Sequence, residues 1–120
     1  MTTKKNQITP AIIKAAKKPP LEKAVEAYLI KQIKQLGGIS WKFASPNHKG
    51  VSDRIVLHQG RVIFVEVKRL GGKMTALQHS FKHKIQQHGG EFTCLTGHDG
   101  VKAFIQALSR VQPINPHYPE

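Results

Sequence analysis

Residues 50–69, GVSDRIVLHQGRVIFVEVKR, constrain this chain more than any other stretch. They read as two short β-strands, 53–58 and 61–68, rich in Val, Ile and Phe and separated by Gln59-Gly60. Counting outward from that turn sets His58 opposite Arg61, Leu57 opposite Val62, Ile55 opposite Phe64 and Asp53 opposite Glu66. Gln-Gly is a weaker turn signal than Asn-Gly, because a type I′ turn needs positive φ at Gln59. A four-residue loop would keep the same pairing, whereas a one-residue slip would send Asp53 to the face away from Glu66.

Directly opposed side chains on an antiparallel pair have Cβ atoms about 5 Å apart, and like charges there destabilise the pair. An otherwise apolar hairpin thus brings two carboxylates together at its far end. A bound divalent cation is the simplest reason to tolerate this. Glu66 and Lys68 share a face, with Val67 pointing away. Hard cations such as Mg²⁺ take carboxylate, phosphate and water oxygens. A cation held here activates water for attack on a phosphodiester, and Lys68 can orient that water. The plainer reading is a surface hairpin whose Asp53 and Lys68 are only solvated.

The charge balance bears on the partner. Nineteen Lys and Arg against seven Asp and Glu give a net charge of +12 over 120 residues. So basic a chain suits a polyanionic partner, most often nucleic acid. Two of the seven acids face each other across the hairpin. The size fits one domain, expected over 19–110, with a basic arm at 1–18 and a Pro-rich tail at 111–120. No stretch approaches the ~20 apolar residues of a membrane span, and no secretory signal is visible. The single cysteine, Cys94, fits a reducing cytoplasm.

The elements around the hairpin follow from periodicity and breakers. The arm carries Lys4, Lys5, Lys14, Lys17 and Lys18 and room for a short helix after Thr9-Pro10; it reads either as a phosphate-following segment or as a solubilising tail. A helix is expected over 21–36, with Leu21, Ala24, Val25, Tyr28, Leu29, Ile33 and Leu36 in one stripe and Gly37-Gly38 as its stop. By pattern alone, Glu22 and Glu26 serve the helix dipole and pair with nearby lysines. Residues 39–45 read as a strand. The loop 46–50 places His48 and Lys49 where they can touch phosphate, or form an ordinary turn. A second helix is expected over 75–88, with Met74, Leu77, Phe81 and Ile85 on one face. Thr75 and Gln78 form its capping box. Strand 91–96, a turn at 97–100 with Asp99 as cap, and a helix over 101–110 complete the order. His79 and His83, with Cys94, offer a weaker zinc alternative.

Taken together these pieces resemble the virus-type replication-repair nuclease (VRR-NUC) family of the PD-(D/E)XK superfamily. The resemblance covers about 21–97. It rests on Glu22, Gly37-Gly38, Lys42-Phe43-Ala44-Ser45-Pro46, Gly50-Val51-Ser52-Asp53-Arg54, Phe64-Val65-Glu66-Val67-Lys68, Gly71-Gly72-Lys73 and Gln78. An isolated D…E-x-K triplet is weak; the ordered set is specific. Ser52 stands where the family usually has the proline of its PD motif, a position that shapes backbone and ligates nothing.

The resemblance implies a restriction-endonuclease-like α/β fold: a mixed four-stranded sheet flanked by helices, in the order α-β-β-β-α-β-α. It implies a Mg²⁺- or Mn²⁺-dependent DNA endonuclease. Asp53, Glu66, Glu22 and the Val67 carbonyl would hold the metal, Lys68 would position water, and Gln78 would support the site. His48, Lys49, Arg54, Arg69 and Lys73 are the expected nucleic-acid contacts. Small members of the family suggest a homodimer acting on branched DNA such as Holliday junctions. A non-catalytic module that grips branched or single-stranded DNA is the rival reading.

Overall fold

The computed structural model describes residues 19–47 and 49–110. The expectations for 1–18, His48 and 111–120 lie outside the described residues. The elements are α1 (Glu22–Leu36), β1 (Ile39–Lys42), β2 (Arg54–His58), β3 (Arg61–Lys68), α2 (Ala76–Gln87), β4 (Glu91–Thr96) and α3 (Gly97–Arg110). The sheet order is β1-β2-β3-β4, with β1, β2 and β3 antiparallel and β4 parallel to β3. This is the mixed α/β sheet anticipated from the sequence.

The hairpin register is the one read outward from the turn. His58 pairs with Arg61, Leu57 with Val62 and Ile55 with Phe64. Gln59 at φ 47° and Gly60 at φ 84° take the positive angles that a type I′ turn requires.

Alternation along β3 assigns its two faces. Ile63, Val65 and Val67 point to one side and are at most 1% exposed. They pack with Val25, Leu29 and Ile33 of α1, spaced four apart on one helical stripe, and with Val101 and Leu108 of α3. Burying each such side chain contributes about 1.5–3 kcal/mol. Phe64 points to the other side. There it meets Phe43 and Phe81 edge-on at ring-centroid distances of 5.6 and 5.7 Å, and Phe81 meets Phe92 at 6.2 Å. Phe81 thereby seats α2 on the face opposite α1 and α3.

Three of the boundaries that differ from the sequence reading bear on the site or have a clear local cause. β1 ends at Lys42 instead of 45; Phe43 N–H still donates to the Asp53 carbonyl, but Pro46 brings no donor to extend a ladder. β2 starts at Arg54, which leaves Asp53 just beyond the strand. α3 begins at Gly97, where a turn is expected. Gly97, at φ +67° and buried, redirects the chain from β4 straight into the helix. Asp99 therefore lies within the first helical turn and does not precede it as a cap.

Candidate active site

Three carboxylates converge at the C-terminal end of β3. Glu22, Asp53 and Glu66 each offer an oxygen within 4.8 Å of the others. Each arrives by a different local rule. Glu66 lies on the Phe64 side of β3 because Val65 and Val67 take the core side. Asp53 is placed by the hairpin register, and its Oδ2 accepts from the Val67 N–H at 2.9 Å. Glu22 opens α1, where the helix dipole favours an acid.

The approach to Asp53 is shaped by two residues before it. Ser52 is 1% exposed and donates to the Arg54 carbonyl at 3.3 Å. Gly50, at φ +81°, lies so close to α2 that a Cβ there would come within 2.6 Å of the Leu77 backbone. Only glycine permits that approach.

Lys68 and Gln78 surround Glu66. Lys68 Nζ lies 3.2 Å from Glu66 Oε2 and 4.0 Å from Glu22 Oε1. Gln78 Nε2 donates to the same Oε2 at 3.0 Å. Gln78 also completes the capping box with Thr75, as its position in the sequence suggests.

Glu66 is fully buried, and its Oε1 has no hydrogen-bond partner. Burial first and the Asp53 charge second raise its carboxyl, against the opposing pull of Lys68, to about 7. An orphaned buried carboxylate oxygen beside two more carboxylates is an unfavourable arrangement for the protein alone. It is the donor set a hard divalent cation takes. The residues present therefore fit such a metal. Among the described residues, this is the one group of three metal-capable side chains; His79, His83 and Cys94 do not come together.

One expected nucleic-acid contact is corrected. Arg54 is 8% exposed. Its guanidinium donates to Glu26 at 2.8 Å, to Ser40 Oγ at 2.6 Å and to the Ser40 carbonyl at 3.0 Å. It ties β2 and β1 to α1, and its burial turns the guanidinium inward, away from any phosphate. The same contact redefines Glu26: its close partner is Arg54, while Lys42 stands at 3.9 Å. Arg69, Lys73 and Lys49 are exposed, on the loops flanking the cluster. Val67 turns its side chain into the core, and its backbone N–H holds Asp53. The sequence reading missed the structural pairing of Glu26 with Arg54; two opposite charges 28 residues apart leave no local signal.

No family model matches the sequence. Two solved structures share the fold. One described as "VRR_NUC domain" superposes with a TM-score of 0.64 at 22% identity, covering 71% of this chain and 94% of its own. Another, "VRR_NUC domain protein", gives 0.69 at 17% identity over 82% and 96%. The fold is the open α/β sheet of these VRR_NUC structures, and here it carries the acidic cluster. A sequence relative carries the assignment further. "Putative nuclease p44" of Acyrthosiphon pisum secondary endosymbiont phage 1 is 37% identical over 93 residues, 77% of this chain and 91% of the relative. The chain belongs to the VRR-NUC family.

Proposed function

We propose that the protein is a divalent-metal-dependent endonuclease that hydrolyses DNA phosphodiesters and works as a homodimer on branched DNA. The observation that carries this reading is the convergence of Glu22, Asp53 and Glu66 within 4.8 Å, with Glu66 Oε1 buried and unpartnered. Glu22, Asp53, Glu66 and the Val67 carbonyl would hold Mg²⁺ or Mn²⁺. When bound, the metal would polarise the phosphodiester and lower the pKa of a coordinated water.

The chain's own residues supply the rest. Lys68 brings a positive charge within 3.2 Å of Glu66, where it can orient the attacking water and offset charge that develops on phosphate oxygen. Gln78 fixes the carboxylate plane of Glu66. In this reading Lys49, Arg69 and Lys73, all exposed, would follow the phosphate backbone, and His48, by its place in the sequence, would join them. Arg61 pairs with Glu91 and clamps the hairpin to β4, which keeps the cluster on a rigid base. The nuclease domain spans 19–110, and the reading places the protein in the cytoplasm of a bacterial or phage-infected cell. No helix among the described residues is long and apolar enough to cross a membrane.

The test is cleavage of a labelled four-way junction, beside linear, flap and fork DNA, with Mg²⁺, with Mn²⁺ and with chelator. Metal-dependent nicks that favour the junction support the reading. Tight binding without product under every metal condition would make the protein a binding module instead.

A further inference from the structure

A groove of about 550 Å³ runs beside the acidic cluster and has no role in the chemistry above. Its walls are the half-buried rings of Phe43 and Phe81 with Val51 and Leu77. Lys49 and Lys84, both exposed, stand on its rim. Each wall is tied to the site. Val51 lies two residues before Asp53, Phe43 N–H donates to the Asp53 carbonyl, and Leu77 adjoins Gln78, which holds Glu66. The close packing of Gly50 on the Leu77 backbone joins the loop and helix that form its two sides.

We propose that this groove is a nucleobase subsite, which takes one unpaired base next to the scissile phosphate. The inference rests on the nuclease reading and names the substrate feature that the site selects. Three properties favour a nucleotide over other occupants. Aromatic rings offer stacking surface that every base can use. Polar groups at the wall, Asn47 and Ser80, can meet base edges. Two cations at the mouth match the phosphates on either side of an extruded base. The volume is within the ~300–1,000 Å³ typical of small-ligand pockets, and a groove open along its length admits a base still attached to its strand. A base paired in a duplex cannot enter, so the groove favours branch points, where unpaired bases are available.

The experiment separates this subsite from catalysis. The full chain is titrated, in Ca²⁺, with a fluorescent flap DNA and with the same DNA carrying one abasic residue at each position across the branch. Binding is read by anisotropy, and cleavage is read separately in Mg²⁺. Loss of the base at one position should weaken binding about tenfold. Ser80→Trp fills the groove from an exposed helix position and should bind intact and abasic DNA equally weakly. Lys84→Ala should weaken both probes alike and flatten the salt dependence. Affinity that ignores base removal at every position would overturn the proposal. So would a Ser80→Trp protein that still discriminates, or one that changes oligomeric state instead, since the groove would then be a protein interface. Discrimination in binding without any cleavage would uphold the subsite and sink only the nuclease reading.

Discussion

Gln78 donates its side-chain amide to Glu66 Oε2 at 3.0 Å while its carbonyl oxygen accepts from the Thr75 backbone N–H at 2.9 Å. One side chain therefore caps α2 and orients a metal-capable carboxylate. The capping bond fixes which end of the amide faces Glu66. The two functions can be separated, because Thr75 shares only the first.

Thr75→Ala should cost about 1 kcal/mol of stability through the lost cap and leave the activity of the folded protein unchanged. Gln78→Ala should cost a similar amount of stability and, in addition, 10–100-fold in metal affinity or activity, as loss of a group that orients a ligand typically does. Thermal unfolding and single-turnover cleavage of both variants check this. Equal activities would mean that Gln78 is only a cap.

The raised Glu66 carboxyl gives a pH dependence of defined sign. Its pKa is about 7 in the fold against an ordinary value of 4.5. The folded state therefore holds a proton that the unfolded state has released across that window. Stability of the metal-free protein should fall as pH rises from about 4.5 to about 7, and the loss is complete above it. At most the effect is on the order of 3 kcal/mol. Glu66→Gln should remove this slope. Added Mg²⁺ should stabilise the native protein more at pH 8 than at pH 5, because the cation and the proton compete for the same carboxylate. Chemical denaturation of both proteins at a series of pH values checks this.

Arg54 should behave as a structural residue. Its removal leaves Glu26 beside β1 and β2 without its close partner. Arg54→Ala should destabilise by about 3 kcal/mol, the low end for a broken buried pair, since Glu26 keeps some solvent. DNA affinity of the folded fraction should stay unchanged. Lys73→Ala should do the reverse: little change in stability, weaker DNA binding, and a shallower salt dependence. Denaturation and salt-titrated binding of the two variants decide between these assignments.

Much of the fold and half of the site were legible in the sequence, for identifiable reasons. The hairpin register could be counted because a two-residue turn is flanked by strands of clear alternation. That register alone brought Asp53 toward Glu66 and put Lys68 on the Glu66 face. Glu22 is different. Pattern alone gave it only a dipole role, and the family resemblance supplied the rest, since its partners lie on strands far along the chain. Arg54 misled because, in a strongly basic chain, an arginine beside Asp53 looks like a phosphate contact. Its inward turn depends on Glu26 and Ser40, which no local pattern links to it. The start of α3 was hidden because Gly97 and Gly100 look like a turn. In the fold, Gly97 redirects the chain, and Gly100 lies within the first helical turn beside Leu95.

Asp53 should be separable from the fold it sits in. Asp53→Asn keeps an oxygen able to accept from Val67 N–H and removes one negative charge from beside Glu66. The metal-free variant should be at least as stable as the native protein at pH 8, because repulsion is relieved. It should cut no DNA. Thermal unfolding beside a cleavage assay checks both halves.

The most direct test of the acidic cluster as a metal site is calorimetric titration of Mn²⁺ into the native protein and into Asp53→Asn, without DNA. The native protein should bind Mn²⁺ with measurable heat and saturation, and the variant should lose that binding while staying folded. Identical isotherms for the two proteins would show that the ion is held elsewhere, and would contradict the account.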